Sequence, residues 1–104
     1  MIRSYGSEVS ISADSPIDLQ THTVLSDGKW QPESLLDYFV REGFATAAIT
    51  DHDRVDTIAK MQKLAQERDF PLLVATEMTT RWNDGIVDIL CFGFDQNLTP
   101  LHDF

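Results

Sequence analysis

Histidine and carboxylate residues recur in this sequence where apolar runs give way to polar loops, a placement that suits metal coordination. Asp18, Gln20 and His22 come first, followed by Ser26-Asp27-Gly28; Asp51-His52-Asp53 comes next, and Glu77 last. If the first apolar run is a strand that continues far enough, its period of two puts Asp18, Gln20 and His22 on one side. Imidazole nitrogen and carboxylate oxygen together suit zinc, manganese or iron(II), and the lack of thiolate partners argues against a structural zinc finger. A carboxylate such as Glu77 can bridge two ions roughly 3.5–4 Å apart, the spacing that clamps the attacking and leaving oxygens of a phosphoryl transfer. Each residue alone has an ordinary alternative. Asp27 before Gly28 reads as a turn residue, Thr50-Asp51 as a helix N-cap, His52 as a loop histidine and Glu77 as a solvated turn acid. Their joint placement after successive strands favours a site.

The chain around these residues has 104 positions, enough for one domain with a small core. Hydrophobic residues make up 42% and charged residues 24%, the balance of a soluble globular protein. Nothing approaches the roughly 18 apolar residues of a membrane span. The first sixteen residues lack the apolar segment of a signal peptide, so the expected location is cytoplasmic. The single cysteine, Cys91, lies in the apolar run VDILCFGF and is expected to be a small buried side chain. A net charge of −9 argues against nucleic acid as a broad electrostatic partner. It does not exclude an anionic small molecule, because divalent cations bound among carboxylates invert the local sign.

The elements that must position the candidate ligands follow a β/α alternation. Residues 1–15 read as a loose arm or an edge strand, and 16–104 as the structured domain. Ile17 to Leu19 suggests a first strand. Pro32 opens a helix with Leu35, Leu36, Phe39 and Val40 on one face, and Gly43 caps its end. Ala45 to Thr50 reads as a buried second strand. A second helix follows over about Val55 to Arg68, its stripe formed by Val55, Ile58, Met61, Leu64 and Ala65, with Met61 a packing residue. Pro71 to Thr76 is a third strand ending at Glu77. Asn83-Asp84-Gly85 is a turn, and Ile86 to Phe94 a fourth, strongly apolar strand. The resulting α/β order is β-α-β-α-β-turn-β. Its continuous apolar strands imply burial on both faces, as in parallel sheets and barrels, where sites sit at the C-terminal strand ends.

Five strings now fall into register: Ile17-Asp-Leu-Gln-Thr-His-Thr23, Ser26-Asp-Gly28, Ile49-Thr-Asp-His-Asp53, Glu77 and Val87-Asp-Ile-Leu90. In order and spacing over residues 16 to 94 they resemble the PHP (polymerase and histidinol phosphatase) superfamily, in particular its stand-alone metal-dependent phosphoesterases. The resemblance implies the N-terminal part of a distorted (β/α)7 TIM-like barrel that holds two or three divalent metal ions (Mn, Zn, Fe or Mg). It implies hydrolysis of phosphate esters by a metal-activated water. Carried over, His22 holds the first metal, Glu77 bridges the first two, and Asp27 and His52 hold the third. Asp51 and Asp53 support them, with Asp51 orienting His52 or contacting the site.

Three departures qualify the resemblance. The family's Asp-x-His-x-His motif has Gln20 at its first histidine, and its His-Ile-Leu-Gly motif is replaced by Asp88-Ile-Leu-Cys91. Glutamine is the weaker ligand and aspartate a hard one, which shifts preference from zinc toward Mn or Mg or lowers occupancy at one site. A carboxylate in an apolar strand is costly to bury unless it is paired or meets a cation, so Asp88 joins Gln20 and Asp18 as a further candidate ligand, the alternative being that it faces solvent at a strand edge. The third departure is length. A (β/α) barrel takes about 250 residues, and this sequence reads as cut off where Thr99-Pro100 starts a helix, with His102 on that helix's surface. A partial barrel leaves edges that invite self-association. The expected function is a phosphoesterase acting on a small nucleotide or sugar phosphate. The alternative is a degenerate domain that binds metal or ligand without turnover.

Overall fold

A computed structural model describes residues 11–95 of the chain. Their order is β1 (Ile17–Thr21), α1 (Pro32–Arg41), β2 (Thr46–Ile49), α2 (Ile58–Glu67), β3 (Leu72–Leu73), β4 (Ala75–Trp82) and β5 (Gly85–Phe92). Residues 11–15 carry no strand and are largely exposed, a short turn held by the Ser12 and Ser15 hydroxyls. The rest of the expected N-terminal arm, the helix expected from Thr99-Pro100 and His102 lie outside the described residues.

Both helices stop for the same local reason. α1 begins at Pro32, and Gly43 follows its end at φ +75, donating to the Val40 carbonyl while Phe44 donates to that of Phe39. These paired bonds form a Schellman cap, and the Phe39 and Phe44 rings at 5.3 Å supply its apolar contact. α2 ends the same way with Asp69 at φ 51, where Asp69 bonds Gln66 and Phe70 bonds Ala65. α2 starts later than expected. Arg54 and Asp56 pair in the approach to it, and the helix opens only at Ile58.

Leu35, Leu36 and Phe39 on α1 meet Met61 and Ala65 on α2, and Ala47 and Ile49 on β2, in one core where Phe70 stacks on Phe39. Burying each large side chain contributes roughly 1.5–3 kcal/mol. Val40 falls outside this face and is exposed, and Leu64 is only partly buried.

The β1-β2-β3 sheet is parallel in that order, as the β/α alternation requires. β2 is buried throughout, whereas Ile17 and Leu19 on β1 are exposed, so burial on both faces holds for the central strand alone. The single third strand expected over Pro71 to Thr76 is two segments interrupted at Val74. Its second segment, β4, continues through Glu77 rather than ending there. The chain after β2 pairs with it in parallel: Glu77 donates to the Asp51 carbonyl, and Asp53 donates to that of Glu77.

The fourth strand differs most from expectation. β5 is antiparallel to β4 and lies largely exposed, with Trp82 and Ile86 each 70% accessible. Asn83 (φ 47) and Asp84 (φ 65) form the two-residue connection, the primed turn that twists with a hairpin. A parallel neighbour would need a crossover of a dozen residues or more, so the Asn-Asp-Gly turn itself dictates the antiparallel ribbon. Cys91 is accordingly only partly buried, against the expected interior position. The architecture is mixed α/β: the described residues form an open parallel sheet continued by a hairpin, which gives the expected β/α alternation but not by itself the barrel order. No helix among them is long and apolar enough to cross a membrane.

Candidate metal centre

His22 follows β1, His52 follows β2, and Glu77 lies on β4 beside the parallel bridge to His52. One ligand atom from each of these three lies within 4.8 Å of the other two. His22 Nε2 is 2.9 Å from Glu77 Oε1, and His22 Nδ1 is 3.0 Å from Asp27 Oδ1. The second Asp27 oxygen lies 3.2 Å from His52 Nε2, and the two imidazole rings are 4.7 Å apart. The Gln20 amide donates to Glu77 Oε1 at 3.3 Å. The structure thus brings together His22, Asp27, His52, Glu77 and Gln20.

The other expected site residues turn elsewhere. Asp18 accepts the backbone N–H of Gln20. Asp53, at φ 52, accepts the N–H of Thr79 and so fastens the segment after β2 to β4. Asp51 is buried, and its carboxylate accepts the Thr23 N–H (2.7 Å), the Thr23 hydroxyl (2.7 Å) and the Ser26 hydroxyl (2.6 Å). Three donors compensate its burial. They make it the anchor of the loop carrying Asp27, the supporting contact to the site that was one of its two expected roles, rather than a partner that orients His52. Asp88 is exposed on the hairpin opposite Thr79, outside the cluster, because β5 sits at the open edge of the sheet. Asp88→Asn is therefore expected to leave the Mn(II) dissociation constant of the chain within about twofold, as for a surface change away from the ligands. A titration calorimeter reads this directly, and a tenfold loss would bring Asp88 back to the site.

Gly28 shows how tightly the Asp27 loop is folded. Its N–H donates to the Thr23 carbonyl at 2.8 Å, and a Cβ at this position would lie 2.2 Å from the His22 carbonyl oxygen. Thr23, Ser26 and Gly28 therefore shape the site, and the Arg54 side chain reaches the same loop with its Nη1 3.2 Å from the Leu25 carbonyl, none of the four having been singled out as a site residue in the sequence. Hydroxyls flanking His22 and Asp27, facing a strand-end aspartate, were a usable signal for Thr23 and Ser26. Arg54 carried none. Its guanidinium bonds both oxygens of Asp56, at 3.1 and 2.9 Å, and these hydrogen bonds, followed by the charge of Asp56, raise its pKa.

The donor set fits a divalent cation. A neutral imidazole has one N–H and one lone pair, while ionised carboxylates only accept, so His22 cannot donate to both Asp27 and Glu77 in that form. Nδ1 is buried without a hydrogen bond: Asp27 is near enough, but in the wrong direction. Two donors at right angles about 2.1 Å from one ion lie about 3.0 Å apart, close to the contacts seen.

No protein-family model matches the chain. It is 33% identical over 79 residues to a 3',5'-nucleoside bisphosphate phosphatase of Chromobacterium violaceum, covering 76% of this chain and 28% of that protein. It is 32% identical over 80 residues to the 5'-3' exoribonuclease Rnm of Escherichia coli, covering 75% of this chain and 27% of that one. A solved structure from Bifidobacterium adolescentis, described as a metal-dependent phosphoesterase, superposes with a TM-score of 0.76 at 31% identity, over 85% of this chain and 31% of its own. An amidohydrolase from C. violaceum, solved with bound sulfate and no metal, gives a TM-score of 0.77 with the same identity and coverage. The chain thus spans under a third of the length of these relatives. Its strand-end histidines and carboxylates in one cluster, with these likenesses in both sequence and fold, bear out the resemblance to the PHP superfamily over the part of the relatives that the chain spans.

Proposed function

We propose that the protein to which this sequence belongs hydrolyses a small phosphate monoester, with His22, Asp27, His52 and Glu77 holding divalent metal ions. The observation that carries this reading is the buried, unbonded His22 Nδ1 within a cluster where His22 and Glu77, and separately His52 and Asp27, stand at the spacing of two ligands on one ion. Bound divalent ions neutralise phosphoryl charge and lower the pKa of a coordinated water toward neutrality. Glu77, on a strand and mostly buried, supplies a fixed anionic wall, and the Gln20 amide sets the orientation of its carboxylate. Asp27, two-thirds exposed, is the ligand nearest solvent, placed between His22 and His52. Gln20 in place of a histidine favours the harder ions, Mn or Mg, over zinc.

A nucleotide is favoured over a sugar phosphate by the name of the C. violaceum relative. A mononucleotide is favoured over a polymer by the net charge of −9 on these 104 residues, whereas the exoribonuclease relative of E. coli stands on the polymer side. Metal-dependent release of phosphate from an aryl phosphate is the expected result, lost on adding a chelator. Finding none with Mn, Zn or Mg present sinks the hydrolase reading. A second reading, a domain that binds metal without turnover, draws on Gln20 and Asp88. The first spends its amide on Glu77 and the second stands outside the cluster, at two positions where the family has histidine. Stoichiometric metal by elemental analysis with no phosphate release would establish it.

A further inference from the structure

We propose that Arg54 is a positioning residue that holds the Asp27 loop closed against the His52 segment, and so presets the distance between the two halves of the centre. The metal arm of this proposal rests on the reading above; the loop arm does not.

The two halves lie on different connections, residues 22–28 after β1 and 51–54 after β2. Asp51 ties them from the buried side through Thr23 and Ser26. Arg54 ties them from the other side, where its Nη1 donates to the Leu25 carbonyl at 3.2 Å. Leu25 stands two residues before Asp27, the exposed carboxylate that meets both imidazoles. Exposed ion pairs contribute little by themselves, so the pairing with Asp56 matters for its geometry. Bonds from Nε and Nη2 to the two oxygens of Asp56 fix the plane of the guanidinium, which leaves Nη1 aimed at Leu25. The Arg54 backbone is anchored as well: the Thr76 hydroxyl lies 2.9 Å from the Asp51 carbonyl and 3.0 Å from that of Arg54, one residue before Glu77. Arg54 thereby connects the strand of Glu77, the segment of His52 and the loop of Asp27.

The test compares the 104-residue chain with Arg54→Ala and Arg54→Lys, with folding checked by circular dichroism. In metal-free protein, exchange of the Ser26 and Gly28 amides, both bonded to the Thr23 carbonyl, is expected to rise about tenfold in Arg54→Ala. The Ala47 and Ala48 amides of β2 should stay within twofold. The Mn(II) dissociation constant should also rise about tenfold, the size seen when a group supporting metal ligands is removed. Arg54→Lys can keep one bond to Leu25 but not the fork to Asp56, and should fall between. Loop exchange within twofold of wild type in Arg54→Ala overturns the proposal. So does faster exchange in loop and β2 alike, which marks a general stabiliser, and so does an unchanged dissociation constant in a wild type that binds Mn(II). A wild-type chain that binds no Mn(II) refutes the metal centre instead, and loop exchange alone then decides the role of Arg54.

Discussion

Glu77→Gln is expected to weaken Mn(II) binding by about 100-fold or more while leaving the metal-free chain at least as stable as wild type. The substitution keeps the shape of the side chain and removes its charge. Glu77 is buried beside His22, and among the described residues its carboxylate is compensated only by Gln20 and His22. Burying a carboxylate costs several kcal/mol unless it is well paired, so a neutral amide relieves the metal-free fold. With metal the sign reverses. At a free ion concentration about 100 times its dissociation constant, wild type gains about 2.7 kcal/mol of stability by linkage, whereas a variant binding about 100-fold more weakly gains only about 0.4 kcal/mol. Urea unfolding with and without Mn(II) reads both quantities. A variant destabilised equally in both conditions would show that Glu77 serves the fold and not an ion.

Gly28→Ala should be the most damaging change that removes no functional group. The added Cβ would meet the His22 carbonyl oxygen at 2.2 Å, its carbon at 2.5 Å and the Thr23 nitrogen at 2.8 Å. All three are backbone atoms, so no rotamer change relieves the overlap and the loop must move. Forced overpacking of this kind costs about 1–3 kcal/mol. It would also displace His22 and Asp27 from each other, for which a metal affinity loss of at least about tenfold is expected. Thermal unfolding and calorimetry on the same sample provide the check. A melting temperature and dissociation constant both close to wild type would mean that the loop does not pack against His22 as described.

The two predictions mark different depths of legibility. Glu77 is visible in the sequence because an acidic residue follows the apolar run PLLVAT. The β/α alternation aligns that position with His22 and His52 before any coordinates are known. The role of Gly28 is not visible. Ser-Asp-Gly reads as a turn in any loop, and the requirement for a missing side chain arises only when the loop folds back on the His22 carbonyl. Asp51 was recognised as part of the site, but its partners, Thr23 and Ser26, lie across a separate connection.

Taken alone, the sequence determined most of each helix with its apolar face, the β/α alternation of a parallel sheet, the Asn83-Asp84 turn and the residue types suited to a metal. These follow from local propensity, periodicity and short-range turn chemistry, each encoded within a few neighbouring residues. Tertiary structure decided which candidates meet. It drew His22, Asp27, His52, Glu77 and Gln20 together, turned Asp18, Asp51 and Asp53 to backbone and hydroxyl partners, and left Asp88 on an open hairpin. The physical reason is that coordination depends on ångström-scale distances between separate loops. Those distances are set by cross-connection bonds, from Asp51 to Thr23 and from Arg54 to Leu25, that no local pattern specifies.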